Sequence, residues 1–300
     1  MRAPGGPEAI VAYTAAMRRA VCLAVLLIAT GLAGCAGPSP RSNGPAAARP
    51  ASRVVALVPS LGGDLFAIGA GPAVVGVSAY TDVPASPALP RVSDSSSVDA
   101  EKIVALRPDL VVGIPAQARQ VESLQRAGVR VVLMRDDRYE DIFANLAELG
   151  ALTGRSPQAA ATIARLRAQT AELQARTRSF KRKPSVFVAF GTGPIWTAGS
   201  GSYIATLIAL AGGRNAADDL HQAWGEYGAE SLLRAQPDVI VSDPSVHLES
   251  ALGREPWRSL RAVREGRVYV VEPASILEQP GTHYTEGLQW LIDRLVPLAS

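Results

Sequence analysis

Residues 100–112 read AEKIVALRPDLVV, and residues 229–241 read AESLLRAQPDVIV. Aligned, Glu101 falls on Glu230, Pro108 on Pro237 and Asp109 on Asp238, an offset of 230 − 101 = 129 residues. Each copy reads as a short helix, a proline that cannot continue it, and an apolar strand that follows at once. A spacing this long lies far above the periods of solenoid repeats, roughly 20–50 residues. It implies two similar bodies, each built around the same helix–Pro-Asp–strand unit.

The rest of the chain alternates in the same way. Apolar runs of β type begin at Arg53, Ala73, Asp109, Val129, Ser185, Asp238 and Arg267, with helical stretches between them. Alternation of this kind implies mainly parallel sheets with helices on their faces. Midway, Ser156-Pro157 opens an uninterrupted helical stretch in which Ile163, Leu166, Thr170 and Leu173 recur at helical spacing. The expected fold is α/β, with two Rossmann-like lobes at 53–154 and 184–300 joined by one stiff helix at 155–180.

The N-terminus has its own logic. Residues 17–35, MRRAVCLAVLLIATGLAGC, combine a short basic start, an apolar run and small residues. That is the form of a secretory signal, and the run is short for a membrane-spanning helix. Residues 1–34 are therefore expected to be a signal peptide, with Met17 as an alternative start. Leu32-Ala33-Gly34-Cys35 resembles the lipobox of bacterial lipoproteins, in which Cys35 would carry lipid; the competing reading is an ordinary signal with a chance cysteine. Cys22 is the chain's other cysteine, so an exported mature chain would have no disulfide and would depend on core packing. Residues 35–52, rich in Pro, Ala, Ser and Gly, read as a lipidated cysteine and a flexible tether.

Composition excludes some classes. The formal charge is +3, and Arg2, Arg18 and Arg19 against Glu8 account for +2 of it within residues 1–34. The remainder has no basic footprint for nucleic acid. Lys181-Arg182-Lys183 reads as a cationic end to the long helix. Phosphate loops, nucleophile elbows and His-Glu-x-x-His motifs are absent from the sequence. Gly191-Thr192-Gly193 follows a strand but lacks the further glycine and lysine of a phosphate loop. His221, His247 and His283 share no helical ligand spacing.

What is left is aromatic. Tyr80, Trp196, Trp224 and Tyr227 fall in expected loops after strands, where open α/β sheets bind ligands. Flat side chains there give contact area with few torsions to freeze. Tyr80 falls in the first expected lobe and the other three in the second, so the group implies a cleft shared between the lobes.

At this point the chain resembles the substrate-binding lipoproteins of bacterial ABC importers that have a rigid helical backbone, those for vitamin B12, haem and iron–siderophores. The resemblance runs from about Arg53 to Val296 and is nearest to the cobalamin-binding members. It rests on RVVALVPS, GVSAYTDVP, VDAEKIVALRPDLVV, the WTAGSGSYI…LAGGRN run and Trp224 six residues ahead of Glu230. It implies a cleft in which Tyr80, Trp224 and Trp196 pack against a corrin ring. It also implies that Glu101 and Glu230, one per lobe, dock on arginines of a permease dimer driven by a cytoplasmic ATPase. Either glutamate alone would pass as a first-turn helix residue suited to the dipole; the duplication points to docking.

The resemblance has departures. Ser95 and Ile114 stand where close relatives have further tryptophans, and Pro280-Gly281-Thr282-His283 replaces Pro-Gly-Pro-Arg. His283 could touch ligand, coordinate its metal centre or cap the last helix. The resulting expectation is a monomeric, exported, membrane-anchored receptor facing the periplasm or cell exterior, with no covalent cofactor and no metal site of its own. Its ligand would be cobalamin or another corrinoid, with haem or a ferric siderophore as alternatives. The rival classes are an enzyme on this fold, for which Glu226 and His283 are isolated acid–base candidates, and a scaffold lipoprotein with no ligand.

Overall fold

The computed structural model describes residues 49–82, 89–94 and 96–299. The signal peptide, Cys35, most of the tether and Ser95 lie outside the described residues. Among those described, no helix is long and apolar enough to cross a membrane.

The first lobe runs β1 (Val54–Ala56), α1 (Pro59–Ala67), β2 (Val74–Ser78), β3 (Arg91–Ser93), α2 (Ala100–Ala105), β4 (Leu110–Gly113), α3 (Glu122–Arg126) and β5 (Val131–Leu133). Its sheet has the order β3-β2-β1-β4-β5, and every neighbouring pair is parallel. Two helices follow, α4 (Tyr139–Thr153) and α5 (Ser156–Ala175). The second lobe runs β6 (Ser185–Ala189), β7 (Trp196–Ala198), α6 (Tyr203–Leu210), β8 (Arg214–Asn215), β9 (Trp224–Glu226), α7 (Ala229–Ala235), β10 (Val239–Ser242), α8 (Arg261–Arg264), β11 (Val268–Val270), α9 (Ser275–Glu278) and α10 (Tyr284–Leu295). Its sheet has the order β11-β10-β6-β7-β9, with β8 also on β6.

The two sheets agree on one side and differ on the other. β10 and β11 continue β6 in parallel, as β4 and β5 continue β1. Beyond the other edge the first lobe adds parallel β2 and β3, whereas the second adds antiparallel β7 and β9. β7 and β9 lie where the alternation of apolar residues suggests loops. Three-residue pairings among Gly and Pro carry no period of their own, and only the partner strand defines them.

α5 spans 20 residues, about 30 Å at 1.5 Å per residue. Its buried residues include Leu166 and Thr170, with Ile163 and Leu173 half-buried beside them, the stripe expected from spacing. Lys181-Arg182-Lys183 comes several residues after this helix ends; Arg182 instead donates to the Leu298 carbonyl and pairs with Asp238.

Strand alternation sorts each central strand into two cores. Val54, Ala56, Leu110, Val112, Val186, Val188, Val239 and Val241 all join one cluster that also contains residues of α1, α4, α5, α6 and α10. Val55, Leu57 and Val111 face a second cluster, and Phe187, Ala189 and Ile240 a third. The central cluster thus belongs to both lobes at once.

The duplicated unit acquires a tertiary role. In both copies the helix ends in a residue with left-handed backbone, Arg107 (φ 47°) and Gln236 (φ 40°), a conformation that is strained for residues with a side chain. Asp109 then accepts hydrogen bonds from the Ser52 and Arg53 backbone N–H groups and the Ser52 hydroxyl at 2.8–3.0 Å. Asp238 accepts from the Ser185 N–H (2.8 Å) and hydroxyl (3.0 Å), and pairs with Arg261 at 2.6 Å. Each aspartate therefore ties the start of its own strand to the start of the central one. Burial raises both carboxyl pKa values, but these hydrogen bonds outweigh it and hold both below the usual range.

The two ties differ in burial: Asp109 is exposed, whereas the Asp238 side chain is 5% exposed. Asp238→Ala should cost about 3 kcal/mol, because it leaves buried donors and arginines unmatched. Asp109→Ala should cost about 1 kcal/mol, since water can replace the carboxylate. Urea unfolding of both variants measures this, and equal losses would show that burial does not set the difference.

Candidate ligand cleft

The lobes touch through named contacts. Asp64 on α1 accepts a hydrogen bond from the Thr282 N–H at 3.1 Å. Gly281 sits so close that a Cβ there would lie 3.2 Å from the Asp64 carboxylate and 3.5 Å from Ser60 Cα, so only glycine leaves the approach unhindered. The Tyr203 N–H donates to the Asp137 carbonyl at 2.7 Å, and the Tyr139 hydroxyl donates to that of Tyr284 at 3.2 Å.

Beside the first contact lies a cavity of about 540 Å³. α1 contributes Gly63 and Phe66, the turn after β2 contributes Asp82, α5 contributes Arg165 and Gln169, and the start of α10 contributes Thr282, His283 and Glu286. His283 is exposed, with Nδ1 3.0 Å from Glu286 Oε1. Tyr80, two residues before Asp82, is 64% exposed. Thr81 between them is buried, its hydroxyl 3.1 Å from that of Ser78, and Arg91 donates to the Ser78 and Thr81 carbonyls. A rigid turn thus presents a free aromatic ring.

The second lobe presents its aromatics on a sheet face. β7 and β9 pair so that Trp196 opposes Glu226 and Ala198 opposes Trp224. Residues two apart share a face, so both tryptophans and Glu226 lie on one side, with Thr197 and Gly225 on the other. Trp224 is half-buried against Phe190 (5.4 Å between ring centroids) and Tyr203 (6.2 Å), while Trp196 is 45% exposed. The Tyr203 hydroxyl donates to the Leu277 carbonyl, which links this face to the α9–α10 bend that carries Thr282 and His283.

Tyr227 stands apart from that group. It is buried in the outer core with Phe187 and Trp257, and its hydroxyl donates to Asp219 at 2.8 Å. One residue beyond β9, strand alternation turns it to the opposite side from Glu226. Ile114 is half-buried against the central cluster. Glu101 and Glu230 lie away from the cavity, each exposed in the first turn of its helix, next to buried Ile103 and Leu232.

The structure also places acids that spacing did not single out. Burial pushes Asp64 up to about 8 against the opposing Thr282 hydrogen bond, and its Oδ2 has no partner. Burial, then the neighbouring Asp243 carboxylate, push Glu278 up to about 8. Burial, then Asp137 and Asp141, push Asp136 up to about 6. An aspartate inside the apolar run LGGDLF is the one legible signal among them. For the others, the neighbours that matter are distant in the chain.

In the folded protein Asp64 and Glu278 keep protons that an unfolded chain releases in the ordinary carboxylate range. Their contribution to stability is complete below that range and is lost as pH rises toward about 8. Glu278→Gln should therefore gain melting temperature relative to the parent between pH 5 and 9. A difference that does not change with pH would show that Glu278 ionises as freely as in water.

The fold has known counterparts. The family model described as periplasmic binding protein matches residues 54–274. An uncharacterized ABC transporter substrate-binding lipoprotein of Bacillus subtilis is 25% identical, over 93% of this chain and 98% of its own length. A vitamin B12-binding protein of Salmonella typhimurium is 34% identical over 64% of this chain and 72% of its own. Among solved structures, a periplasmic heme-binding protein from Roseiflexus superposes with a TM-score of 0.74 at 25% identity, covering 83% of this chain and 99% of that one. These relatives are binding proteins and not enzymes. With two α/β lobes on one connecting helix, this chain belongs to the periplasmic binding protein family.

Proposed function

We propose that this protein is the lipid-anchored solute receptor of an ABC importer, tethered through Cys35, and that it captures cobalamin or a related corrinoid between its lobes. The observation that carries the ligand is the Trp196–Trp224 face, one indole exposed and one half-buried on a sheet edge, opposite a lobe whose Tyr80 is free. Rings of this kind suit a broad planar macrocycle, and relatives that bind vitamin B12 support the choice. Capture needs no bond chemistry. The lobes share one core across α5 and α10, so closure would consist of small shifts and loop adjustment, not a wide hinge.

A second reading, haem, rests on His283. Its Nδ1 lies 3.0 Å from Glu286, an arrangement that would orient the ring and leave Nε2 as an axial ligand for iron. A ferric siderophore would use the cavity's polar groups instead. Calorimetry of the chain from residue 36 onward, with cobalamin, haem and a ferric siderophore in parallel, separates the three. Trp224→Ala should weaken corrinoid binding more than tenfold; an unchanged titration would remove it from the site.

Glu101 and Glu230 are proposed to meet cations on a permease dimer whose ATPase lies in the cytoplasm. Exposed charges of this sort steer and register a partner more than they add affinity for ligand. Glu101→Lys with Glu230→Lys should abolish uptake and leave ligand affinity nearly unchanged. A collapse of ligand affinity would place these residues in the cleft instead.

A further inference from the structure

Exposed large hydrophobic side chains are few among the described residues: Tyr80, Val104, Trp196, Val270 and Val296. Tyr80 and Trp196 are already assigned to the proposed ligand cleft. Val104 does not; it lies on α2, one turn from Glu101, and is 45% exposed. Beside it a groove of about 430 Å³ runs between α2 and α3, lined by Ala100, Glu101, Val104, Ala105, Ser123 and Leu124. Its lining is apolar apart from the carboxylate and the serine, and the carboxylate lies on the rim of the very helix that carries the duplicated unit.

The repeat supplies an internal control. The counterpart of Val104 is Leu233, which is half-buried against the outer core of the second lobe. There the crossover from β10 to β11 supplies Trp257, Leu260 and Ala262 to the same cluster that Leu233 packs against, and Gln236 is bonded to Ser259 and Arg261. The first lobe's crossover contains only a short turn and α3, and it leaves the equivalent surface open. The two glutamates therefore sit in different surroundings, one beside an apolar groove with Val104 exposed and one on a helix whose matching Leu233 packs against the outer core.

Resting on the docking reading above, we infer that the groove receives an apolar side chain of the permease, carried on the same loop as the cation that meets Glu101. The charge on the rim argues for this occupant. A cation next to an apolar side chain satisfies carboxylate and groove together, whereas a wholly apolar partner would strip water from Glu101 without pairing it. The first lobe would then hold the permease by packing and charge, and the second by charge alone. Docking would consequently be asymmetric on a symmetric permease dimer.

The test measures binding of the ligand-loaded receptor to its permease–ATPase complex in nanodiscs, alongside ligand affinity and melting temperature. Val104→Ser should weaken complex formation about tenfold, which is about 1.4 kcal/mol, with ligand affinity and melting unchanged; Val104→Leu should retain binding. If Val104→Ser binds normally while the Glu101→Lys, Glu230→Lys double variant does not, the groove is overturned and the docking reading stands. If neither variant alters binding, docking through these helices falls, and the groove with it. Loss of ligand affinity in Val104→Ser would show that the residue acts through the cleft, which also overturns the inference.

Discussion

The hydroxyl of Tyr284 is the point on which the two lobes are joined. The ring is fully buried, and its oxygen lies 2.7 Å from Thr170 on α5 and accepts from Tyr139 on α4 at 3.2 Å. Thr170 in turn donates to the Leu166 carbonyl, so each of these three hydroxyls has a partner. Tyr139, Phe143 and Tyr284 meet edge to face at 5.2–6.1 Å, an arrangement that favours one relative orientation of α4 and α10. A satisfied polar network inside an apolar core specifies geometry, because any slip leaves a buried hydroxyl unpaired. The shared cluster around it joins the two lobes through one core.

The duplicated unit serves two ends of the same design. Its Pro-Asp step ties a lateral strand to the central one in each lobe, through Asp109 and Asp238. Its glutamate stands on the outside of the helix that precedes the tie. A rigid tie therefore fixes where each exposed charge sits relative to its sheet. The halves diverge away from this unit: parallel strands in one lobe and an antiparallel pair in the other, which alone supplies a tryptophan-bearing face.

The residue types of the proposed cleft are legible in the sequence, and their geometry is not. Tyr80, Trp196 and Trp224 were recognisable because large aromatics among turn residues have few structural reasons to be there. Tyr227 has the same local signature, yet strand alternation after β9 turns it into the outer core beside Trp257. Residue type cannot distinguish these cases, since pairing register decides the face and the partner strand is distant in the chain. Asp64 and Glu278 were hidden for a related reason: their pKa values depend on burial in the folded chain and, for Glu278, on Asp243.

The sequence by itself determined the α/β alternation, the long connecting helix and the doubled unit. These rest on periodicity and on proline, which act within a few residues. Only the tertiary structure decided that the lobes share one core, that Trp196 and Trp224 lie on the same face, and that Val104 is exposed beside a groove while its counterpart Leu233 packs against the outer core. Each of those depends on contacts between segments far apart in the chain, where burial and pairing, not local preference, set the free energy.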